Sequence, residues 1–213
     1  MVKALIFDFD GLLVNSEPSW DTAYDLFLMK HNVADKPEIS NKMTGMGLVD
    51  AIRILKSELG INGDLDNLVM EYREMFYQIF LKEKNPLMFG AGDILEKAKE
   101  KRFAMAISSG GHTKEKLIEI LKLNKIYDYF SVIVSSDDVA LGKPAPDIYI
   151  ESISLLELTP EECLGFEDSV NGVVSAKAAG LKVYGVNLDE KIRNDLINAG
   201  ADRVFKNLAE VDL

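Results

Sequence analysis

Cysteine is nearly absent from this chain. Cys163 stands alone among 213 residues, so no disulfide can form within it, which fits a reducing compartment. Long apolar runs are missing too: no uncharged stretch approaches the roughly 20 residues that a membrane span needs. The N-terminus reaches Asp8 before any signal-type apolar region develops. Basic charge is scarce, with 24 Lys and Arg against 35 Asp and Glu, a net charge of -11. That field repels phosphate backbones and anionic lipid, so neither nucleic acid nor a membrane surface is an expected partner. A small anionic substrate would need a local cationic site. Internal repeats and low-complexity segments are also lacking, and the cytoplasm is the expected location. What is present is ordinary for a globular protein: 47% of residues are hydrophobic, enough for one larger domain or one domain with an insert.

The most informative stretch is near the start. Residues 2–7 form an apolar run of buried-strand length, followed by Asp8, Phe9, Asp10 and Gly11. Strand side chains alternate faces, so Asp8 and Asp10 are expected to project to one side at the strand's carboxyl end, where open α/β sheets bind ligands. Two neighbouring carboxylates do not both ionise cheaply unless a cation joins them or one keeps a proton. Gly11 permits a sharp exit. Asp and Gly also make plain polar turns, so the segment alone decides nothing.

Helical periodicity follows. Ser16 and Pro18 read as a helix start, with Trp20, Ala23, Tyr24, Phe27, Leu28 and His31 at three-to-four spacing. A second periodic stretch runs from Leu48 to Leu59 and stops at Gly60, and a third runs from Asp64 to Phe80. No strand signal occurs between Asn15 and Pro86. Beyond Pro86 strand and helix alternate, as parallel sheets with crossovers do. Strands are expected at 103–109, 131–135, 164–166, 182–186 and 203–205, with helices at 92–101, 114–123, 145–156, 169–179 and 191–199. The expected fold is α/β: a Rossmann-like, doubly wound parallel sheet (residues 1–14 and 86–213) with an all-helical cap (residues 15–85) inserted after the first strand.

In such a sheet the residues just beyond each strand converge. Here they are Asp8 and Asp10, then Ser108, Ser109, Gly110 and Gly111, then Gly142 and Lys143, then Glu167, Asp168 and Ser169. Oxygen ligands without His or Cys suggest Mg²⁺. Ser108 with the amides near Gly110 and Gly111, ahead of a helix starting near His112, suggests an anion cradle. Lys143 offers a point charge for a phosphoryl oxygen.

With these four motifs in order, Asp8-Phe-Asp10-Gly11, Ser108, Gly142-Lys143-Pro-Ala-Pro-Asp147 and Glu167-Asp168-Ser169-Val-Asn171-Gly172, the sequence resembles the haloacid dehalogenase superfamily over nearly its whole length, in the branch of small phosphatases and β-phosphoglucomutases. The resemblance implies Asp8 as a nucleophile forming an aspartyl-phosphate and Asp10 as general acid and base. It implies Mg²⁺ on the Asp8 carboxylate, the Asp10 carbonyl and Asp168, with Glu167 ligating directly or through water. Ser108, the Ser109 amide and Lys143 are then the phosphate-binding groups, and Ser169 and Asn171 supports. True dehalogenases of the superfamily lack the second aspartate, so that activity is not expected.

The cap loop, Thr44 to Leu48, is the matching substrate loop, which makes Gly45, Met46 and Gly47 candidate substrate residues. Where mutases of the family carry an arginine for a second phosphate, this chain has Leu48, with Arg53 and Arg73 on neighbouring helices. Asn15 replaces the usual aspartate. A phosphatase acting on a small phosphomonoester is therefore expected, with a β-phosphoglucomutase-type mutase as the alternative. A receiver-like or non-catalytic phosphate-binding protein is a further alternative. His112 is read either as a substrate-side residue or as part of a helix start. His31 is expected as a core or boundary residue, and Trp20, Tyr24 and Phe27 as cap core rather than a substrate platform. The oligomeric state is left open, a monomer being compatible.

Overall fold

Leu5 and Phe7 point to one side of the first strand and Ala4 and Ile6 to the other, and all four are fully buried. This is why residues 4–7 read as an unbroken apolar run: helices cover both faces. The computed structural model describes residues 1–82 and 87–213. Among these residues, six parallel strands form one sheet: β1 (Ala4–Phe7), β2 (Ala104–Ser109), β3 (Val132–Ser135), β4 (Cys163–Glu167), β5 (Lys182–Val186) and β6 (Arg203–Phe205), in the order β3-β2-β1-β4-β5-β6. The chain thus moves outward from β1 in one direction and then crosses to the other side, which leaves a crevice at the carboxyl end of β1 and β4.

Helices α5 (Ala91–Glu100) and α6 (Lys114–Leu123) pack on the Leu5 and Phe7 face through Ile94, Leu95, Leu117 and Leu121. The opposite face is covered by α7 (Asp147–Leu155), α8 (Val170–Ala178) and α9 (Glu190–Asn198) through Ile148, Tyr149, Val173, Ala176 and Leu196. Each buried Leu, Ile or Val among them is worth about 1.5–3 kcal/mol relative to exposure. Cys163 is the first residue of β4, not a flank of it, and is buried as a small hydrophobe.

Among the described residues between β1 and α5 lie four further helices, α1 (Glu17–Lys30), α2 (Pro37–Met43), α3 (Leu48–Leu59) and α4 (Leu65–Phe80). Gly60 ends α3 in the left-handed conformation, and Asp64 caps α4 by accepting from the Asn67 amide. The short α2 had no expectation. In seven residues only Ile39 and Met43 repeat at helical spacing, too little for periodicity to show. His31 is a boundary residue, its Nε2 3.0 Å from Glu71 on α4. Val14 and Leu87 pair as an antiparallel bridge where the chain leaves and re-enters the sheet domain. The expected junction at residues 85 and 86 lies outside the described residues. No helix among the described residues is long and apolar enough to cross a membrane.

Candidate active site

Strand register places the first group of side chains. Phe7 pairs with Ile107 of β2 and with Phe166 of β4, so Asp8, one residue on, falls in a row between Ser108 and Glu167. All three are on the face covered by α7 and α8. Glu167 is the last residue of β4, one position earlier than the strand-end reading placed it. Lys143 reaches this row from the loop beyond β3, its Nζ 2.5 Å from Asp8 Oδ1 and 2.6 Å from Glu167 Oε1. Tyr149 on α7 donates its hydroxyl to the same Glu167 oxygen. Ser169 caps α8 by accepting from the Gly172 amide at 3.1 Å while its hydroxyl lies 3.3 Å from Glu167 Oε2.

Asp168 completes the cluster. Carboxylate oxygens of Asp8, Glu167 and Asp168 all lie within 4.8 Å of one another, and all three residues are buried. One ammonium, paired with Asp8 and Glu167, serves a cluster of three carboxyl groups. Burial pushes Asp8 up to about 8 against the pull of Lys143, with Glu167 and Asp10 adding to the rise. Burial, then Asp8 and Glu167, push Asp168 well above the usual carboxylate range. Burial opposes the Lys143 ammonium, yet Asp8 and Glu167 outweigh it and hold it above an ordinary lysine. An excess of buried carboxylate oxygen, without His or Cys, fits a hard divalent cation such as Mg²⁺.

Asp10 lies past the strand, in the turn that the Gly11 amide closes onto Val14. Gly11 has φ of 73°, and a Cβ there would sit 2.2 Å from Asp168 Oδ2, so only glycine fits. Asp10 does not share Asp8's partners. Its Oδ1 accepts from Ser16 Oγ at 2.6 Å and Trp20 Nε1 at 3.2 Å, with His112 Nε2 at 3.0 Å. Enclosure works to raise its carboxyl, but His112 and the hydrogen bonds of His112, Ser16 and Trp20 outweigh it and hold the group at about 2. The Asp10 side chain is thus outside the carboxylate cluster, which leaves its main-chain carbonyl for the metal role that the family resemblance implies.

A cavity of about 320 Å³ opens above these groups. Asp8, Asp10, Lys143 and Asp168 form its floor. Trp20, Tyr24 and Tyr72 form one wall, and Met43, Gly45, Met46, Leu48 and Ile52 the roof. Helical spacing favours Trp20 and Tyr24 as cap core over a substrate platform, yet both line the cavity. Trp20 does stack in the cap core, 3.7 Å from Phe76 between ring centroids, but it also faces the cavity. Phe27 is fully buried, as periodicity implies.

Three candidate residues do not reach the cavity with their side chains. Ser108 and Ser109 are fully buried and are not among the lining residues: the Ser108 hydroxyl faces α7 and lies 2.7 Å from Ser152 Oγ, and Ser109 Oγ lies 3.4 Å from Asp10 Oδ2. The residues of that loop which do reach the cavity are Gly110 and Gly111. His112 does not start a helix, since Thr113 caps α6. It is fully buried against Asp10 and does not line the cavity. Asn171 turns to the cap loop, donating to the Thr44 carbonyl at 2.7 Å.

That loop is seated on the sheet domain by main-chain contacts. The Gly47 amide donates to the Lys143 carbonyl and the Leu48 amide to the Gly110 carbonyl, each at 3.3 Å. Gly45 and Met46 line the cavity, whereas Gly47 packs beside Gly142, where a Cβ would lie 2.9 Å from the Gly142 Cα. Gly47→Ala should therefore lift the loop and lower kcat/KM on the order of tenfold while the melting temperature stays near that of the wild type. Steady-state kinetics beside thermal denaturation checks this; unchanged kcat/KM would show that the seat is not needed.

Tyr149, Ser152, Ser16 and Tyr77 were not foreseen as site neighbours. Tyr149 shares the spacing of a core helix face with Ile153, and no local pattern marks its hydroxyl for Glu167.

The model of the haloacid dehalogenase-like hydrolases matches residues 5–186. A phosphorylated carbohydrates phosphatase of Thermotoga maritima is 32% identical over 208 residues, covering 96% of this chain and 94% of its own. Hexitol phosphatase B of Escherichia coli is 28% identical, covering 99% and 94%. Among solved structures, CbbY of Rhodobacter sphaeroides in complex with phosphate superposes with a TM-score of 0.81 at 25% identity, covering 99% of this chain and 96% of that one. A β-phosphoglucomutase of Clostridium difficile shares the fold, with a TM-score of 0.85 at 19% identity over 100% and 94%. With a family model spanning most of its length and the carboxylate cluster at the carboxyl end of β1, this chain belongs to the haloacid dehalogenase-like hydrolases.

Proposed function

We propose that the chain is a Mg²⁺-dependent phosphatase for a small phosphomonoester, a sugar phosphate or similar, working through an aspartyl-phosphate on Asp8. The observation that carries this reading is the Asp8, Lys143, Glu167 and Asp168 cluster at the floor of a cavity roofed by the cap loop. The phosphatase relatives act on phosphorylated carbohydrates and hexitol phosphates by name, which supports the substrate class. Asp8, Asp168, the Asp10 carbonyl and Glu167 would hold Mg²⁺. When bound, the ion neutralises phosphoryl oxygens and lowers the cost of bringing a dianion against a carboxylate.

The negative charge of the phosphoryl group arriving beside Asp10 offsets the pull of His112, so that Asp10 enters the step protonated. Asp8 attacks phosphorus in line, forming the Asp8 O–P bond as the ester P–O bond breaks, and Asp10 gives its proton to the leaving oxygen. Water then gives a proton back to Asp10 while its oxygen attacks the same phosphorus. Inorganic phosphate leaves and Asp8 is free again. Lys143 holds Asp8 and adds positive charge where the phosphoryl group arrives.

Hydrolysis is favoured over mutation of a sugar phosphate by the charge of the cavity. Among its described lining residues Lys143 is the sole cation, and it already faces two carboxyl groups. Arg53 pairs with Asp50, and Arg73 lies 3.3 Å from Ser136 Oγ; neither lines the cavity. A second phosphate enclosed there would be left without a counter-charge, which is costly. A panel of p-nitrophenyl phosphate, sugar phosphates and alditol phosphates, assayed for released phosphate with Mg²⁺ and with chelator, tests the proposal. Release only with the metal is expected. No release from any compound would overturn it, and conversion of β-glucose 1-phosphate to its 6-phosphate would assign the mutase instead.

A further inference from the structure

We propose that His112 is a positioning residue for Asp10, buttressed from the cap by Tyr77, and that it fixes Asp10 Oδ2 as the oxygen that carries the transferred proton. This rests on the acid-base role given to Asp10 above.

The His112 ring is fully buried. Phe9 meets it edge-on at 5.6 Å, and the rings of Phe76 and Tyr77 lie 5.4 and 5.9 Å away. Both ring nitrogens are engaged. Nε2 is 3.0 Å from Asp10 Oδ1, and Nδ1 is 3.2 Å from the Tyr77 hydroxyl. Oδ1 already accepts from Ser16 and Trp20 and so carries no proton itself, whether or not Oδ2 does; Nε2 therefore donates to it and Nδ1 accepts from the Tyr77 hydroxyl. The chain runs in one direction, from Tyr77 on α4 through His112 to Asp10.

The two Asp10 oxygens are unequally occupied. Oδ1 meets three donors, from Ser16, Trp20 and His112, whereas Oδ2 has the 3.4 Å contact with Ser109. A proton placed on Oδ1 would confront three groups that already point hydrogens at it. Oδ2 lies 3.3 Å from the position of a Cβ on Gly111, a residue that lines the cavity. Asp10 therefore donates from Oδ2 as the ester P–O bond breaks and takes the water's proton back on Oδ2. His112 holds the carboxylate in this orientation. Because Tyr77 belongs to α4, the orientation depends on that helix being seated.

The test uses kcat/KM, which reports steps through departure of the leaving group. A p-nitrophenolate departs without a proton, but an alkoxide requires one. His112→Ala, His112→Gln and Tyr77→Phe are compared with wild type on p-nitrophenyl phosphate and on whichever is hydrolysed fastest among glucose 6-phosphate, mannitol 1-phosphate and glycerol 3-phosphate. The alkyl substrate should suffer at least about tenfold more than the aryl one in His112→Ala. Tyr77→Phe, which removes one oxygen, should show the same bias at about threefold. His112→Gln, which restores an N–H donor, should move the ratio back toward wild type. Should His112→Ala fail to fold, Tyr77→Phe carries the test. Equal losses on both substrates, or no loss on either, would overturn the proposal by showing a packing role alone. Hydrolysis of nothing by the wild type would instead sink the phosphatase reading itself.

Discussion

Asp8→Asn should abolish Mg²⁺-dependent phosphate release, with turnover falling by about 10⁴-fold or more while the fold persists. The amide keeps the shape of the side chain and loses what the chemistry needs, an anionic oxygen that can bond to phosphorus. Its effect on stability should be opposite in sign to its effect on rate. Asp8 is buried beside Glu167 and Asp168, and burial has already pushed its carboxyl up to about 8. Native protein without metal therefore binds more protons than the unfolded chain between the ordinary carboxylate range and about pH 8. Stability of the metal-free enzyme should fall as pH rises through that interval. Asp8→Asn removes this contribution, so its melting temperature in chelator should decline less with pH than that of the wild type. Thermal denaturation from pH 5 to pH 8 reads this directly; parallel curves would show that Asp8 is not under the strain assigned to it.

Lys143→Met should produce the second largest effect, on stability and rate together. The ammonium is 3% exposed and contacts Asp8 and Glu167 across 135 and 24 residues of sequence. Methionine matches the stem in volume but leaves both carboxyl groups without their counter-charge. Breaking a buried pair on one side costs about 3–5 kcal/mol, which for a chain of this length lowers the melting temperature by roughly 10 °C. The deficit should shrink toward acidic pH, where the stranded carboxyl groups take up protons. Turnover should fall on the order of 10²–10³-fold from loss of the charge facing the phosphoryl group. Calorimetry beside phosphate-release assays checks both; a variant of wild-type stability at neutral pH would contradict the burial and pairing described for Lys143.

How far the fold was legible follows from which signals are local. β1, α3 and α4 announce themselves through a continuous apolar run, a glycine stop at Gly60 and an aspartate cap at Asp64, each written within a few neighbouring residues. The convergence of strand ends followed from topology alone. Hydrogen bonds between distant side chains have no such local mark. Nothing in the spacing of Tyr149, Ile153 and Leu156 says that one hydroxyl meets Glu167, or that Trp20 serves the core and Asp10 at once. Ser108 shows the limit most clearly. Its position at a strand end was readable, but its rotamer was decided by Ser152 on a helix forty-four residues away. Asp8 and Asp10 were readable as a pair; their separation into two environments depends on the turn at Gly11 and on His112, both matters of three-dimensional packing.

The claim on which the account stands is that phosphorus is passed to one carboxylate before water receives it. Acid quenching the enzyme within milliseconds of mixing with substrate and Mg²⁺, followed by peptide mass mapping, examines this directly. One added PO₃ unit is expected on the peptide spanning residues 4–30, located at Asp8 and absent in Asp8→Asn. Stoichiometric phosphate on any other residue, or full turnover with Asp8 never modified, would contradict it.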